Sequence, residues 1–335
     1  MSELASEPSG TAARTTTERQ RGASVRAKRV AAVDCGTNSI RLLVADLDPQ
    51  TGAETELDRR MEIVRLGQGV DATGRLADEA LARTFAACEG YAKVIREFGA
   101  SEVRFVATSA TRDASNRAEF VAGVRARLGV EPEVISGDEE ANLSFRGATR
   151  TLAEDGADHP TPYLVVDIGG GSTEFVLGTD SVLAARSVDI GCVRMTERHL
   201  KSDPPTLAQI TEARRDIDAG IDLAAETVDL ARAKTLVGLA GSVTTVAAVA
   251  LGLERYDRSR VHLARIPADV IRQTAADLLA QSREQRAANP VIHPGRVDVI
   301  GAGALVLAQI VDRLGLPEII VSEHDILDGI AYSLA

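Results

Sequence analysis

Two short segments of this chain repeat the same spacing of aspartate, glycine and serine, residue types that are suited to binding phosphate and a metal. The first segment covers residues 33–39 (VDCGTNS) and the second covers residues 166–172 (VDIGGGS). Glycine lets the backbone bend so that successive N–H groups point at one spot, and such a nest binds anions, above all phosphate. An aspartate at the end of the incoming strand can hold a hard cation, or a water on it, beside that phosphate. The repeat therefore indicates two related phosphate-binding turns.

Apolar runs flank both segments. They cover residues 29–33 and 42–45 around the first segment, and residues 163–166 and 175–177 around the second. Each copy therefore predicts a strand, a turn and a second strand, which together form a hairpin. Two such hairpins suggest two related lobes that hold one phosphate-bearing ligand between them.

The composition narrows the class of protein. The 335 residues (35.4 kDa) are enough for two globular domains with their own cores. Aromatic residues make up only 3%, tryptophan is absent and the formal net charge is −11, so we expect no nucleic acid partner. The most apolar stretch, residues 297–311, is too short to span a bilayer, so we expect no membrane partner. The three cysteines show no metal-ligand spacing, which favours a reducing, cytoplasmic location.

Strand-like and helix-like stretches alternate along most of the chain, which predicts an α/β fold with helices covering the sheets. We expect a disordered tail at 1–29, because its composition is rich in Ser, Thr, Ala, Gly and Arg without apolar periodicity. A first lobe follows at 30–150, a linker at 151–162 and a second lobe at 163–323. A C-terminal helix is expected at 324–335, where the pair His324 and Asp325 is interpreted as the start of a helix.

Several motifs resemble those of one known family, the Ppx/GppA family of exopolyphosphatases and guanosine pentaphosphate phosphohydrolases, a branch of the actin, Hsp70 and sugar kinase superfamily. They occur in order at 33–39 (VDCGTNS), 107–112 (ATSATR), 134–141 (VISGDEEA), 166–174 (VDIGGGSTE), 191–193 (GCV) and 238–242 (GLAGS). The resemblance runs from about residue 29 to the C-terminus, and the length is similar to that of the short family members. It implies two actin-like (ribonuclease H-like) lobes, each a mixed sheet flanked by helices, with the active-site cleft between them.

The resemblance also implies a reaction, the hydrolysis of a phosphoanhydride with Mg²⁺, or Mn²⁺ as the alternative. It assigns the catalytic base to Glu140, the second glutamate of the SGDEEA turn. From the residues alone, Glu140 would be an acidic residue at a helix N-terminus, stabilised by the helix dipole. The metal ligands implied by the resemblance are Asp167, Glu174 and Asp34. Arg41 stands in the first hairpin where Glu174 stands in the second, so the second hairpin is predicted to be the metal-binding one.

Backbone N–H groups, hydroxyls and one guanidinium are the candidates for binding phosphate. Gly241 and Ser242 follow a predicted strand and open a helix, whose N-terminus can add an anion site. Arg112 matches a substrate-contacting arginine of the family, and a planar guanidinium binds phosphate through two hydrogen bonds. The full predicted set of phosphate-binding and substrate-binding residues is Thr37, Asn38, Ser39, Arg112, Gly169, Gly170, Gly171, Ser172, Thr173, Gly241 and Ser242.

Four functions remain open at this point. The leading hypothesis is an exopolyphosphatase whose substrate is inorganic polyphosphate, and the first alternative is a 5′-phosphohydrolase of pppGpp. An ATP-dependent kinase is disfavoured by Glu140, which suits attack by water. A polyphosphate or nucleotide sensor without catalysis is disfavoured by the intact set of Glu140, Asp167 and Glu174. A homodimer is expected only from the resemblance.

Overall fold

The computed structural model describes residues 27–48, 51, 53–154, 157 and 159–335, without the side chains of residues 153 and 154. Most of the predicted disordered tail lies outside these residues. Its predicted end at residue 29 is wrong, because the first strand already begins at Lys28. Lys28 forms an ion pair with Glu102 (2.9 Å), and Arg29 forms one with Asp46 (2.7 Å), so both residues belong to the folded lobe.

The first sheet combines an antiparallel meander with two parallel strands. Its strand order is β3-β2-β1-β4-β5, in which β1, β2 and β3 pair antiparallel while β4 and β5 run parallel to β1. The strands are β1 (Lys28–Cys35), β2 (Ser39–Leu47), β3 (Glu54–Ile63), β4 (Glu102–Ala107) and β5 (Glu133–Val134).

The second sheet repeats this topology and adds one edge strand. Read from the opposite edge, its order is β8-β7-β6-β9-β11-β10. Over the first five strands two antiparallel pairs are followed by two parallel pairs, as in the first sheet. The repeated sequence segments thus lie at the same place in two sheets of equal design. The strands are β6 (Tyr163–Ile168), β7 (Thr173–Gly178), β8 (Val182–Val188), β9 (Thr235–Leu239), β10 (Arg265–Pro267) and β11 (Glu318–Val321).

Helices cover both sheets. In the first half they are α1 (Val70–Thr73), α2 (Asp78–Phe98), α3 (Ser109–Arg112), α4 (Arg117–Leu128) and α5 (Gly137–Glu154). In the second half they are α6 (Cys192–Arg198), α7 (Leu207–Ala225), α8 (Ala240–Ala250), α9 (Arg258–Val261), α10 (Ala268–Ala280), α11 (Arg283–Ala287), α12 (Ile300–Leu314) and α13 (Ile326–Tyr332). The helix α3 forms within the ATSATR motif at 107–112.

The residues of these elements explain their positions. Central strands such as β1 and β6 are almost continuously apolar, as expected for strands that are covered on both faces. The long helix α2 buries one stripe against the first sheet and ends at Gly99, whose φ of 67° is the left-handed conformation that glycine adopts readily. Thr206 begins α7 with a capping box that involves Gln209.

The helices α5 and α13 lie between the two sheets. Leu143 of α5 packs with α13 against the first sheet, whereas Phe145 and Leu152 of the same helix pack against the second. The predicted lobe boundary at residue 150 therefore falls inside α5, which continues to Glu154, and the predicted linker begins within this helix. The predicted C-terminal helix is also shorter than 324–335, and it packs against β1 and β2 of the first sheet.

Glycine permits the close crossing of α5 and α13. A Cβ atom on Gly147 would lie 1.8 Å from the carbonyl oxygen of Asp325, and one on Gly329 would lie 2.0 Å from the carbonyl oxygen of Leu143. Any larger residue would push the two backbones apart. The crossing therefore fixes Asp325, at the start of α13, relative to the first turn of α5.

The predicted fold class is confirmed. The described residues form an α/β protein with two mixed sheets flanked by helices, and a cleft opens between the sheets. Within that part of the chain, every helix is too short or too polar to cross a membrane.

Candidate active site

A cavity of about 90 Å³ lies where β1, β6 and β9 end, between the two halves of the molecule. The turns that follow these three strands form its walls, together with the first turn of α5 and residues near the start of α12. Most of the predicted site residues line it: Asp34, Thr37, Asn38, Ser39, Glu140, Asp167, Gly169, Gly170, Ser172, Gly241 and Ser242. Residues more than 200 positions apart in the chain thus meet in one small space.

The two hairpins close in the same way. The N–H of Gly36 donates to the carbonyl of Ser39 (2.9 Å), and the N–H of Gly169 donates to the carbonyl of Ser172 (3.0 Å). The turns face each other closely, because a Cβ atom on Gly170 would lie 2.8 Å from Cβ of Thr37. Glycine at this position therefore allows both turns to approach the same small volume.

Four predicted residues lie beside the cavity without lining it. Glu174 and Arg112 contact residues of the cavity wall, as described below. Gly171 packs against Ser109, whose Oγ would lie 2.5 Å from a Cβ atom at this glycine. The Thr173 hydroxyl is buried and donates to the carbonyl of Ile190 (3.0 Å), so it faces the core and not the cavity.

Glu140 lies in the first turn of α5 and is only 8% exposed. An Arg112 Nη1 atom donates to Glu140 Oε2 (2.7 Å) and also to the carbonyl of Ile135 (2.9 Å). Burial raises the pKa of Glu140 to about 7, although the charge and hydrogen bond of Arg112 oppose this rise. Arg112, predicted to contact substrate, thus holds the candidate base in position.

Asp167 and Glu174 face each other across the β6–β7 ladder. Ser144 of α5 donates to Asp167 Oδ2 (2.7 Å). The hydroxyls of Ser172 and Ser187 both donate to Glu174 Oε1 (2.7 Å each).

The environment of these two carboxyl groups disfavours their charged forms. Burial raises the pKa of Asp167 to about 7, helped by the negative charges of Asp325 and Glu140. Burial also raises the pKa of Glu174 well above its ordinary value, with Glu140 and Asp167 adding to the effect. Three carboxyl groups therefore share one buried region and repel each other when ionised.

Asp34 has a different partner from the one predicted. Arg41, opposite Asp34 in the β1–β2 ladder, donates to its Oδ2 atom (2.6 Å) and also forms an ion pair with Asp325. Burial raises the pKa of Asp34, and the neighbouring Arg41 offsets part of this effect. Asp34 thus lines the cavity while its Oδ2 atom pairs with Arg41, and its role as a metal ligand stays a prediction.

The donor set suits a hard cation that keeps part of its water shell. Among the described residues, no group of three or more His, Cys, Asp or Glu side chains is arranged closely enough to bind a metal alone. Asp167 and Glu174 nevertheless supply carboxylate oxygens whose mutual repulsion a cation would relieve. Mg²⁺ commonly binds through one or two carboxylates, several waters and substrate phosphates, so these residues fit it.

The structure adds site residues that were not predicted. Thr108 and Ser109 line the cavity, and the ATSATR motif was the signal that could have revealed them. Asp325 was interpreted only as a helix start; it does cap α13, by accepting from the N–H of Leu327 (3.0 Å), but it also pairs with Arg41. Cys192 and Arg296 line the cavity as well; the GCV motif at 191–193 was the signal for Cys192, whereas Arg296 lies outside the motifs.

Comparison with known proteins agrees with this geometry. The sequence profile described as the Ppx/GppA phosphatase family matches residues 43–335. Exopolyphosphatase 2 of Mycobacterium tuberculosis is 51% identical over 318 residues, which cover 92% of this chain and 98% of that protein.

Solved structures agree as well. The crystal structure of an exopolyphosphatase-like protein has 46% identity and a TM-score of 0.89, over 92% of this chain and 98% of the other. A Ppx/GppA family member from Aquifex aeolicus has 29% identity and a TM-score of 0.75, over 92% of this chain and 97% of the other. The chain belongs to the Ppx/GppA phosphatase family, as its motifs, its paired sheets and its cleft indicate.

Proposed function

We propose that this protein is an exopolyphosphatase, which hydrolyses the terminal phosphoanhydride of inorganic polyphosphate and releases orthophosphate. One observation carries the proposal: a buried glutamate with a pKa of about 7, Glu140, lies in a cavity whose opposite walls are two phosphate-binding turns. The name of the relative from M. tuberculosis supports polyphosphate as the substrate.

In the proposed mechanism Glu140 is the general base. It accepts a proton from a water molecule, the water oxygen attacks the terminal phosphorus, and the bond from that phosphorus to the bridging oxygen breaks. The products are orthophosphate and a chain that is one phosphate shorter. A base with a pKa near the working pH is well matched to this step, because it is partly ionised yet still basic enough to remove the proton.

The two turns hold the terminal phosphate. Thr37, Asn38 and Ser39 provide hydroxyl, amide and backbone donors on one side, while Gly169, Gly170 and Ser172 provide mainly backbone donors on the other. Because the turns belong to different halves of the molecule, closure of the halves would complete the phosphate site. We expect a hinge near residues 153–162, which the described residues only partly cover.

We propose Mg²⁺ as the cofactor, with Mn²⁺ as the alternative, held by Asp167 and Glu174. When bound, the cation would neutralise negative charge on the phosphate oxygens and orient the attacking water. Ser144, Ser172 and Ser187 keep the two carboxylates in fixed orientations. Their contribution is to position the oxygens before a cation arrives.

A substrate panel tests the proposal. Phosphate release with Mg²⁺ would be measured for short polyphosphate, long polyphosphate, pppGpp and ATP at equal phosphate concentrations. We expect polyphosphate to give the highest kcat/KM, and short chains to be preferred. Dominant turnover of pppGpp would make the protein a pppGpp 5′-phosphohydrolase instead, and tight binding without turnover would make it a sensor.

A further inference from the structure

Arg194 belongs to α6, and its side chain contacts the second phosphate-binding turn (residues 169–172) without lining the cavity that contains Glu140. Its Nε atom donates to the carbonyl of Gly171 (2.8 Å). In the described part of the chain, no other side chain donates to a carbonyl of residues 169–171. The side chain of Arg194 is only 11% exposed, so its position is well defined. The proposed reaction assigns no role to this arginine.

The backbone of α6 contacts the same turn. The first two N–H groups of the helix donate to the carbonyls of Gly169 (3.0 Å) and Gly170 (2.8 Å). In a planar trans peptide the C=O and the N–H of the next residue point in opposite directions. The N–H groups of residues 170–172 therefore point away from α6. The hydrogen bond from Arg194 fixes the last of these peptides, the one that carries the N–H of Ser172.

The segment between β3 and α1 contacts the first phosphate-binding turn in the same manner. The N–H of Gly67 donates to the carbonyl of Thr37 (2.8 Å), and the N–H of Arg65 donates to the carbonyl of Asn38 (2.9 Å). By the same peptide geometry, the N–H groups of Asn38 and Ser39 point away from this segment. Both residues line the cavity. Each turn is thus oriented by a neighbouring segment that binds its carbonyls.

Asp71 of α1 joins these two supporting segments across the cleft. Its carboxylate forms ion pairs with Arg194 and with Arg198 (2.7 Å), both on α6. Glu197 of α6 adds a third contact, because it accepts from the N–H of Gly69 (3.1 Å). The contacts connect the first half of the molecule to the second, so they relate the positions of the two phosphate-binding turns.

Arg194 also reaches the helix that holds the proposed base. Its Nη2 atom pairs with Asp113 (2.7 Å), the residue that directly follows α3. The last residue of α3 is Arg112, which donates to Glu140. One guanidinium therefore contacts the second turn, α1 of the first half and the end of α3.

We propose that Arg194 is a positioning residue for the reaction. Through Asp71 it sets the distance between the two phosphate-binding turns, and through Asp113 it sets the second turn relative to Glu140. This inference rests on the proposed function, because it requires one phosphate to be bound by both turns while Glu140 activates the water. Arginine suits the role, since its planar guanidinium presents five N–H donors in several directions at once.

The test compares Arg194→Gln and Arg194→Lys with the wild-type protein. We expect R194Q to lower kcat for tripolyphosphate about 100-fold, with a smaller change in KM, because each turn can still bind phosphate but the reacting groups are displaced. R194K has a single nitrogen in place of the fork, so it should recover part of kcat.

Arg198→Gln is the matched control. Arg198 lies on the same helix and pairs with the same Asp71, but it does not contact the turn. We expect R198Q to change kcat by less than about fivefold, as is typical of the loss of a partly exposed ion pair. Equal losses of kcat in R194Q and R198Q overturn the proposal, because they would indicate general loosening of α6.

Hydrogen–deuterium exchange tests the positioning independently of turnover. The N–H groups of Gly169 and of residues 191–194 make hydrogen bonds within the turn or to its carbonyls. They should exchange faster in R194Q but not in R198Q, and unchanged exchange in R194Q overturns the proposal. If exchange responds as expected while the wild-type protein releases no phosphate from polyphosphate, the proposed function fails but the placement of the turn by Arg194 is supported.

The variants Asp71→Asn and Asp113→Asn separate the two connections and keep the test decisive if R194Q does not fold. Each keeps the arginine and removes one partner, and each should lower kcat by less than R194Q does. The double variant D71N/R194Q should lose less kcat than the product of the two single losses, because both changes break the same ion pair. Wild-type kcat in both D71N and D113N overturns the proposal.

Discussion

The guanidinium of Arg112, the last residue of α3, lies 2.7 Å from the carboxylate of Glu140 in the first turn of α5. This pair joins two motifs that are separate in the sequence, ATSATR and VISGDEEA. Glu140 would be more strongly protonated in its buried position without the arginine. The ion pair therefore sets both the orientation and the acidity of the proposed base.

Replacement of Glu140 by glutamine should abolish most of the phosphate release from polyphosphate. The amide cannot accept the proton of the water, and the loss of a general base typically costs about 10²–10⁴-fold in rate. Binding of polyphosphate should persist, because the turns proposed to hold phosphate are unchanged. The control is Glu139→Gln, since the neighbouring Glu139 pairs with Arg104 at the surface. Wild-type turnover of E140Q would remove Glu140 from its role.

Replacement of Arg112 by glutamine should shift the acidic limb of the pH–rate profile to higher pH. The reason is that Arg112 lowers the pKa of Glu140, so its loss lets burial raise that pKa further, by about one unit or more. The base then ionises only at higher pH. The profile would be measured between pH 5 and 9, with Arg125→Gln on α4 as an exposed arginine control. An unchanged limb would show that another group controls it.

Without divalent cations, the protein should become less stable as the pH rises from about 5 to 8. Asp167 and Glu174 have pKa values raised above those of the unfolded chain, so the folded state binds their protons more tightly. The stabilisation that this tighter proton binding provides is present at low pH and is lost as the pH rises through the pKa values of the folded state. Mg²⁺ should raise the melting temperature more at pH 8 than at pH 5, because it replaces the lost protons.

The variants Asp167→Asn and Glu174→Gln test this account of stability. Each should reduce both the pH dependence and the stabilisation by Mg²⁺, as measured by differential scanning calorimetry. Asp138→Asn, at an exposed position of α5, serves as the control. If D167N keeps the full response to Mg²⁺, the cation binds elsewhere.

Replacement of Gly147 or Gly329 by alanine should destabilise the protein. The added methyl group would collide with backbone of the other helix, which cannot move as a side chain can, and overpacking of this kind typically costs about 1–3 kcal/mol. The comparison is Gly90→Ala on α2, where the described residues leave open space and alanine should stabilise the helix by roughly 0.5–1 kcal/mol. Urea denaturation would measure both effects. Equal stability of G147A and G90A would contradict the close crossing.

Much of the site was predictable because turns are determined locally. Glycine, asparagine and serine between two apolar runs define each hairpin, so Thr37, Gly169 and Ser172 could be placed at a cavity before the structure was known. The helix boundaries were less predictable. α5 continues to Glu154, past the predicted lobe boundary at residue 150, since Leu152 in its last turns packs on the second sheet.

Other features depend on partners that are remote in the chain. Arg41 meets Asp325 across 284 residues, and Arg296 meets Gly241 across 55. Thr173 resembles a phosphate-binding residue in the motif, but the alternation of β7 directs its hydroxyl to Ile190. No local pattern encodes the contacts of Arg41 with Asp325 or of Arg296 with Gly241.

The sequence by itself determined the duplicated design of this protein, its family and the turns that face the cleft, because these features follow from residue spacing and backbone preferences within short segments. Only the tertiary structure decided which charges are balanced. In the folded chain Asp34 pairs with Arg41 and Glu140 pairs with Arg112, whereas Arg296 has no carboxylate partner among the described residues. The physical reason is that ion pairing depends on distance in space: the β1–β2 register sets Asp34 opposite Arg41, and the folded positions of α3 and α5 set Arg112 beside Glu140.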